Sequence, residues 1–182
     1  MYQEEIDDDE NLGRNYLNVG IASYNLEKYE QALSYFQKAL PIYQDLEDVE
    51  MEWRMYCNMG DAYLQMQAYK QALPLLEKSK AVATKAQNKD WMAYSNYLLS
   101  TFYSKQQSFD KALPLVHKAI QQLVPDFTSE RLTDSPKEES FSSVKRKNVL
   151  FTYLAQKADC WSALAARSGD VKQQEYAIEN YQ

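Results

Sequence analysis

The sequence has few residues that bend or end secondary structure, because its 182 residues include only 4 glycines and 5 prolines. An all-β fold of this length needs many more turns, so we predict long helices joined by tight connections. The two cysteines, Cys57 and Cys160, match no disulfide framework or zinc-ligand spacing, which favours a reducing, cytoplasmic setting. No apolar run approaches the length that spans a bilayer, so we expect no membrane association.

Basic charge is also scarce. The chain has 20 lysines and arginines against 26 aspartates and glutamates, which gives a net charge of -6 at pH 7. Nucleic-acid binding needs a basic face, so we expect no nucleic-acid partner. Much of the acid lies at the start of the chain, where it is typical of a solvated tail or of a charge cluster at a helix N-terminus. These residues are Glu4, Glu5, Asp7, Asp8, Asp9 and Glu10.

An internal repeat with a spacing of 40 residues is the main signal in the sequence. An aromatic residue followed three positions later by alanine and then leucine occurs at 29–33, 69–73 and 109–113. A small residue upstream repeats with the same spacing. The alanines are Ala32, Ala72 and Ala112, and the small residues are Gly20, Gly60 and Ser100. Such residues let two helices approach closely, so each copy is predicted to be a helix–turn–helix unit.

The repeated positions resemble the tetratricopeptide family, whose first helix carries an aromatic, a leucine and a glycine and whose second carries an alanine and an aromatic. The matching residues are Tyr16, Val19, Gly20, Tyr29, Ala32, Phe36 and Ala39, then Tyr56, Met59, Gly60, Tyr63, Tyr69, Ala72, Leu76 and Ser79, then Leu99, Ser100, Tyr103, Phe109, Ala112, Val116 and Ala119. Ser23 and Asn96 depart from the pattern at aromatic positions. The resemblance implies an all-α fold, an α-α superhelical solenoid of tetratricopeptide-like helix pairs.

The spacing also predicts where the helices lie. They are expected at about 11–26, 29–45, 49–66, 69–86, 89–106 and 109–124. We group them into one domain over 1–182, with repeat units at about 11–48, 49–88 and 89–124. The spacing exceeds the family's usual period of about 34, which indicates longer helices. Pro41 predicts a kink or a break in the second helix.

The period then fails, and residues 125–143 have the composition of an inserted loop. Ser135 and Pro136 resemble the start of a capping box, so the next helix begins either near 136 or near 143. A fourth unit is predicted at about 144–182, with Trp161 in an aromatic position of the repeat. The chain stops within the second helix of that unit, which predicts that the sequence is a fragment of a longer protein.

Patterns for catalysis or metal binding are missing from the sequence. His117 is the single histidine, and no cluster of His, Cys or carboxylate residues accompanies it. Cys57 has no base nearby in the sequence and is interpreted as a packing residue. Asp45 and the acidic residues after it are interpreted as a solvated helix end. We therefore expect no catalytic residue, no cofactor, no metal and no enzyme activity.

The resemblance implies a protein or peptide partner, bound on the concave face that first helices line in this family. The residues that correspond to this face are Arg14, Leu17, Ile21, Tyr24 and Asn25, then Arg54, Cys57, Asp61, Leu64 and Gln65, then Tyr94, Tyr97, Thr101, Ser104 and Lys105. The alternative is that several of them pack against a longer helix or against the fourth unit. A chaperone-type carboxylate clamp is not expected, because only Asn58 agrees with it, whereas its other slots hold Leu17, Ile21, Tyr94 and Leu98.

The C-terminal part carries a second resemblance. From Leu154 through Trp161 to 176–181, it is similar to a stretch of bacterial proteins in which tetratricopeptide repeats precede a caspase-like CHAT protease domain. This resemblance implies an alternative function, that of a regulatory or sensor arm for a protease domain outside this chain. The open C-terminal helix also predicts self-association through an exposed apolar face.

Overall fold

The structure of the protein is a computed structural model that describes the backbone of residues 2–168 and the side chains of residues 8–168 except 138, 142 and 143. This part contains seven α-helices and no β-strand. The helices are α1 (Tyr2–Asn25), α2 (Tyr29–Asp45), α3 (Val49–Gln65), α4 (Tyr69–Lys85), α5 (Lys89–Lys105), α6 (Phe109–Leu123) and α7 (Lys147–Ser168). A 3-10 helix, Glu138–Ser143, precedes α7.

The starts of α2 to α6 agree with the starts predicted from the repeat. The first helix differs, because α1 begins at Tyr2 and not near residue 11. The acidic run therefore lies within a helix and not in an extended tail. The side chains of Asp8, Asp9 and Glu10 are exposed on it.

The turns that connect α1 to α6 share one geometry. Each has a residue in the left-handed region, with φ between 52° and 59°, and these residues are spaced by 20 positions. In the turn after α2, the Asp48 N–H donates to the Tyr43 carbonyl at 2.9 Å and the Glu47 N–H donates to the Gln44 carbonyl at 3.1 Å. The same pair of bonds closes the turns after α1, α3 and α5. It satisfies carbonyls that the helix ends would leave free. The left-handed residues are Glu27, Glu47, Gln67, Gln87 and Gln107.

The chain divides into two compact units, Met1–Ala86 and Gln87–Gln182. In the N-terminal unit, α1 packs on α2, α2 on α3, and α3 on α4. The core of this unit lies mainly among α1, α2 and α3. Its larger buried side chains are Leu17, Leu33, Phe36, Tyr43, Met55, Tyr56 and Met59. Consecutive packing of this kind is how helical repeats bury faces that one unit alone leaves open.

The break predicted at Pro41 does not occur, since α2 continues through it to Asp45. Pro41 is exposed, and so is Gln37, whose carbonyl loses its hydrogen-bond donor because proline has no N–H. Water can hydrate a carbonyl on the exposed side of a helix, which makes the interruption less costly. Pro74 and Pro114 also lie inside helices, α4 and α6, and are exposed.

In the C-terminal unit, α5 packs on α6 and α6 packs on α7. The predicted inserted loop contributes to the core, because Val124, Phe127 and Val144 are buried in the same cluster as side chains from α5, α6 and α7. The 3-10 helix begins at Glu138, close to the earlier of the two predicted helix starts, and α7 begins at Lys147, after the later one. The second helix of the predicted fourth unit lies outside the described residues.

Candidate partner-binding surfaces

In the N-terminal unit, three of the predicted partner-binding residues form one chain of hydrogen bonds between α1 and α3. The Tyr24 hydroxyl donates to Asp61 Oδ2 at 2.8 Å, and Gln65 Nε2 donates to Asp61 Oδ1 at 3.0 Å. The Tyr24 ring lies edge-on to Tyr29, with 5.4 Å between the ring centroids. Burial and the Asp61 charge raise the pKa of Tyr24 above its usual value, so its hydroxyl remains a donor. The first helices of two repeats are therefore joined by a defined polar contact.

Further predicted residues of this unit have exposed side chains. Arg14 Nη2 lies 2.5 Å from Glu10 Oε1, and Arg54 Nη2 lies 3.0 Å from Glu50 Oε1. Exposed pairs of this kind, one turn apart on a helix, contribute about 0.3–0.5 kcal/mol. A carboxylate on a partner can replace either glutamate at small cost. The exposed residues are Arg14, Ile21, Asn25 and Arg54.

Three other residues that were predicted to lie on the partner-binding face of this unit are buried, which contradicts the prediction for them. Leu17 is 6% exposed, Cys57 is 2% exposed and Leu64 is fully buried. Leu17 belongs to the core between α1 and α2. Cys57 and Leu64 lie on α3, which packs on both α2 and α4 and so has little surface left. These side chains stabilise the fold and are not available to a partner.

In the C-terminal unit, α7 covers much of the predicted face of α5. Tyr97, Thr101 and Ser104 each contact a side chain of α7, as the alternative interpretation proposes. Tyr97 stacks on Tyr153 with 4.6 Å between the ring centroids. Gln156 Nε2 donates to the Thr101 hydroxyl at 3.1 Å. Ser104 Oγ lies 3.2 Å from Cys160 Sγ. Burial raises the pKa of the Cys160 thiol, so it stays protonated beside Ser104.

The two remaining predicted residues of this unit lie nearer the surface. Tyr94 is half-buried and stacks on Tyr97 with 6.3 Å between the ring centroids. Lys105 is exposed at the other end of α5. Together with Tyr153, the two tyrosines form a ladder of stacked rings. The accessible part of this face is therefore aromatic near the start of α5 and basic at its end.

A buried polar network joins α6, α7 and the inserted loop, and the sequence did not predict it. Lys157 is fully buried, with its Nζ 2.8 Å from His117 Nδ1. The ammonium also donates to the backbone carbonyl of Asp134. His117 Nε2 lies 2.6 Å from the backbone carbonyl of Ser129. Because a carbonyl can only accept, Nε2 carries the imidazole proton and Nδ1 accepts from the lysine.

The pKa values in this network follow from burial. Removal from water lowers the pKa of His117 and lowers the pKa of Lys157 from 10.5 to about 8. The Ser129 hydroxyl donates to Asp134 Oδ2 at 2.6 Å and lowers the pKa of that carboxyl. The network fastens the inserted loop to α6 and α7. One signal for it exists in the sequence, because Lys157 stands on the apolar stripe of α7 where a hydrophobic residue is expected.

No group of three or more His, Cys, Asp or Glu side chains within the described part of the chain is placed to hold a metal ion. None of the described helices is long and apolar enough to cross a membrane.

Comparison with known proteins places the fold. Residues 16–47, over α1 and α2, and residues 54–84, over α3 and α4, each match a family model described as a tetratricopeptide repeat. A search of curated protein sequences found no match. The chain is similar to the crystal structure of BtubC (BKLC) from P. vanneervenii, with a TM-score of 0.69 and 13% identity. The likeness covers 95% of this chain but only 63% of the BtubC chain, and at this identity it shows the fold alone. The predicted all-α solenoid of helix pairs is confirmed.

Proposed function

We propose that this chain, a member of the tetratricopeptide-repeat family, is a scaffold that binds a protein or an extended peptide along the first helices of its repeats and performs no catalysis. The contact between Tyr24 and Asp61 supports the proposal most directly. It holds partly exposed donor and acceptor groups in one arrangement beside exposed side chains of α1 and α3. Groups that are already ordered lose little conformational entropy when a partner binds.

The chemistry of this surface suggests the chemistry of the partner. Ile21 is 41% exposed and offers apolar contact, while Arg14 and Arg54 offer guanidinium groups that pair well with carboxylates. We infer a partner segment with an apolar anchor flanked by acidic residues. In the C-terminal unit, the proposed contact residues are Tyr94 and Lys105, because α7 covers the residues between them. The buried Leu17, Cys57 and Leu64 are not part of the proposed surface.

The test starts from a library of displayed random peptides selected on the full chain, from which the enriched peptides are synthesised and labelled. Their dissociation constants are measured by fluorescence anisotropy. Arg54→Glu is expected to weaken binding at least tenfold, about 1.4 kcal/mol, because it places a like charge opposite the partner carboxylate. Lys70→Glu on α4 makes the same charge change at an exposed site of a second helix. It is the matched control and should leave binding unchanged.

The proposal fails if no peptide is enriched, or if the enriched peptides bind the Arg54→Glu and Lys70→Glu variants equally well. Circular dichroism of both variants shows whether helix content is preserved. The alternative of a regulatory arm for a caspase-like domain stays a prediction, as does the cytoplasmic location. The resemblance that suggests the regulatory arm extends to 176–181, which lies outside the described residues.

A further inference from the structure

A row of exposed apolar residues runs along one face of α1 and continues into the turn that follows it. Leu12 and Val19 of α1 are 42% and 41% exposed, and Leu26, which directly follows α1, is 66% exposed. The three recur every seven residues. Asn15 and Ala22 lie between them on the same stripe and are also exposed. Apolar positions with alternating spacings of three and four form the seam along which two helices pack. This seam is separate from the surface proposed above, because Ile21 and Val19 are two positions apart and so lie on nearly opposite sides of the helix.

The 40-residue repeat shows what normally covers this seam. Asn15, Val19 and Ala22 of α1 correspond to Met55, Met59 and Ala62 of α3. Met55 and Ala62 are fully buried and Met59 is 3% exposed, and all three belong to one core cluster with side chains of α2. The seam on α3 is therefore covered by the preceding second helix of the repeat. On α1, no described residue takes that place.

The direction of a helix that fills the empty place follows from the fold. A three-residue turn joins α2 to α3, so the two helices run antiparallel. A helix bound to α1 in the equivalent position is also antiparallel, and its last turn lies near Asp9 of α1, which corresponds to Val49 at the start of α3. That region carries the exposed carboxylates Asp8, Asp9 and Glu10, of which only Glu10 has an ion-pair partner among the described residues. Basic side chains in a last turn are favoured by these carboxylates and by the helix dipole.

We propose that the seam Leu12–Val19–Leu26 docks an amphipathic α-helix of a partner protein, antiparallel to α1, with apolar residues at spacings of three and four and with lysine or arginine in its last turn. This helix occupies the position that α2 takes on α3. It is a second interaction surface, on the opposite side of α1 from the first.

The sequence of α4 supplies a probe with the required chemistry. As the second helix of its repeat, α4 corresponds to α2, and it carries Lys85 in its last turn. A labelled peptide of residues 69–85, with Pro74→Ala to favour the helix, is titrated against the full chain by fluorescence anisotropy. Val19→Lys in the full chain is expected to weaken binding at least tenfold, because it places a charge in the centre of the seam. Val49→Lys, at a valine of α3 that is 46% exposed against 41% for Val19, is the matched control and should bind as the unchanged chain does.

The charge requirement is tested separately. Changing Lys80 and Lys85 of the peptide to Gln should weaken binding several-fold, as should Asp8→Asn with Asp9→Asn in the chain, and the two effects should not add.

The proposal is overturned if the peptide does not bind, or if the Val19→Lys and Val49→Lys variants bind it equally. Sedimentation equilibrium that finds a dimer which Val19→Lys dissociates also overturns it, because the occupant is then a second copy. Arg54→Glu should not affect this peptide, which separates failure here from failure of the proposed function.

Discussion

One small residue in each repeat lets its two helices meet, and the structure shows why it is small. A Cβ atom built on Gly20 lies 2.5 Å from Phe36 Cε1, and one built on Gly60 lies 2.5 Å from Leu76 Cδ2. Phe36 and Leu76 are almost completely buried, so neither has free space to move into. In the third repeat, the Ser100 hydroxyl donates to the Ala112 carbonyl at 2.9 Å across the corresponding pair of helices, α5 and α6. The repeat thus predicts that the residue at this position is small, whereas the contact that this residue makes differs from one repeat to the next.

Replacing glycines with alanine separates the effect of packing on stability from the effect of helix propensity. Alanine in a helix interior is favoured over glycine by about 1 kcal/mol, while overpacking a core costs about 1–3 kcal/mol. Gly20→Ala is therefore expected to lower the free energy of unfolding by about 1 kcal/mol. Gly13→Ala places its Cβ 3.2 Å from Ile42 Cγ2 and should be close to neutral. Urea denaturation followed by circular dichroism measures both, and equal effects contradict the packing explanation.

The helices α2 to α5 each have 17 residues, and the left-handed residues of the turns around them recur every 20 positions. All five left-handed turn residues are glutamate or glutamine, although glycine is the residue best suited to that conformation. A residue with a Cβ atom is strained there by roughly 1–2 kcal/mol. In the turns after α1, α2, α3 and α5, the hydrogen bonds of the turn and the packing of the helices on either side hold these residues in place.

Glycine at such a turn should stabilise the protein. Gln67→Gly removes the strain between α3 and α4, and we expect it to raise the free energy of unfolding by about 1 kcal/mol. Glu77→Gly, at an exposed site inside α4, is the control and should lower that free energy by about 1 kcal/mol. Thermal and urea denaturation monitored by circular dichroism provide the comparison. A loss of stability in the Gln67→Gly variant is the result that contradicts this account.

In the C-terminal unit, the inserted loop is held by hydrogen bonds to a buried charged group. Lys157, His117 and the backbone carbonyl of Asp134 join α7, α6 and the loop in the C-terminal unit. The Lys157 ammonium also lies 5.7 Å from the centroid of the Phe127 ring, which belongs to the same core. A buried charge is costly even when its hydrogen bonds are made. The stability of the C-terminal unit should therefore depend on pH.

The sign of this dependence follows from the lowered pKa of Lys157. The folded protein releases this proton near pH 8, whereas the unfolded chain holds it up to about pH 10.5. The contribution to stability is present above pH 10.5 and is lost as the pH falls through 8. Between about pH 7.5 and about pH 9.5, the free energy of unfolding should rise by roughly 1–2 kcal/mol. The variant Lys157→Met should lose this rise, and Lys118→Met, at an exposed lysine of α6, should keep it. If the free energy of unfolding rises equally with pH in the two variants, the assignment of this pH dependence to Lys157 is contradicted.

The candidate surfaces were predicted less completely than the fold. The face expected from the repeat includes Tyr24, Asp61 and Gln65, which the structure brings together. It also includes Leu64, which is fully buried, and Tyr97, which stacks on α7. The position of a residue in the repeat predicts on which side of its helix the residue lies. It does not predict how much of that side the neighbouring helices cover.

The repeat was enough to predict the number and order of α1 to α6 and the extent of α2 to α6, because aromatic, alanine and small residues recur in phase and local spacing defines a helix pair. The start of α1 at Tyr2 was not predicted. Ala32, Ala72 and Ala112 are all fully buried, as that spacing requires. The contact between Lys157 and His117, which are 40 residues apart, is seen only in the folded structure. The same is true of the difference between the seam of α3, which is covered, and the seam of α1, which no described residue covers. The burial of a side chain depends on which helices and loops come into contact when the chain folds. Those contacts depend on residues that are distant from one another in the sequence.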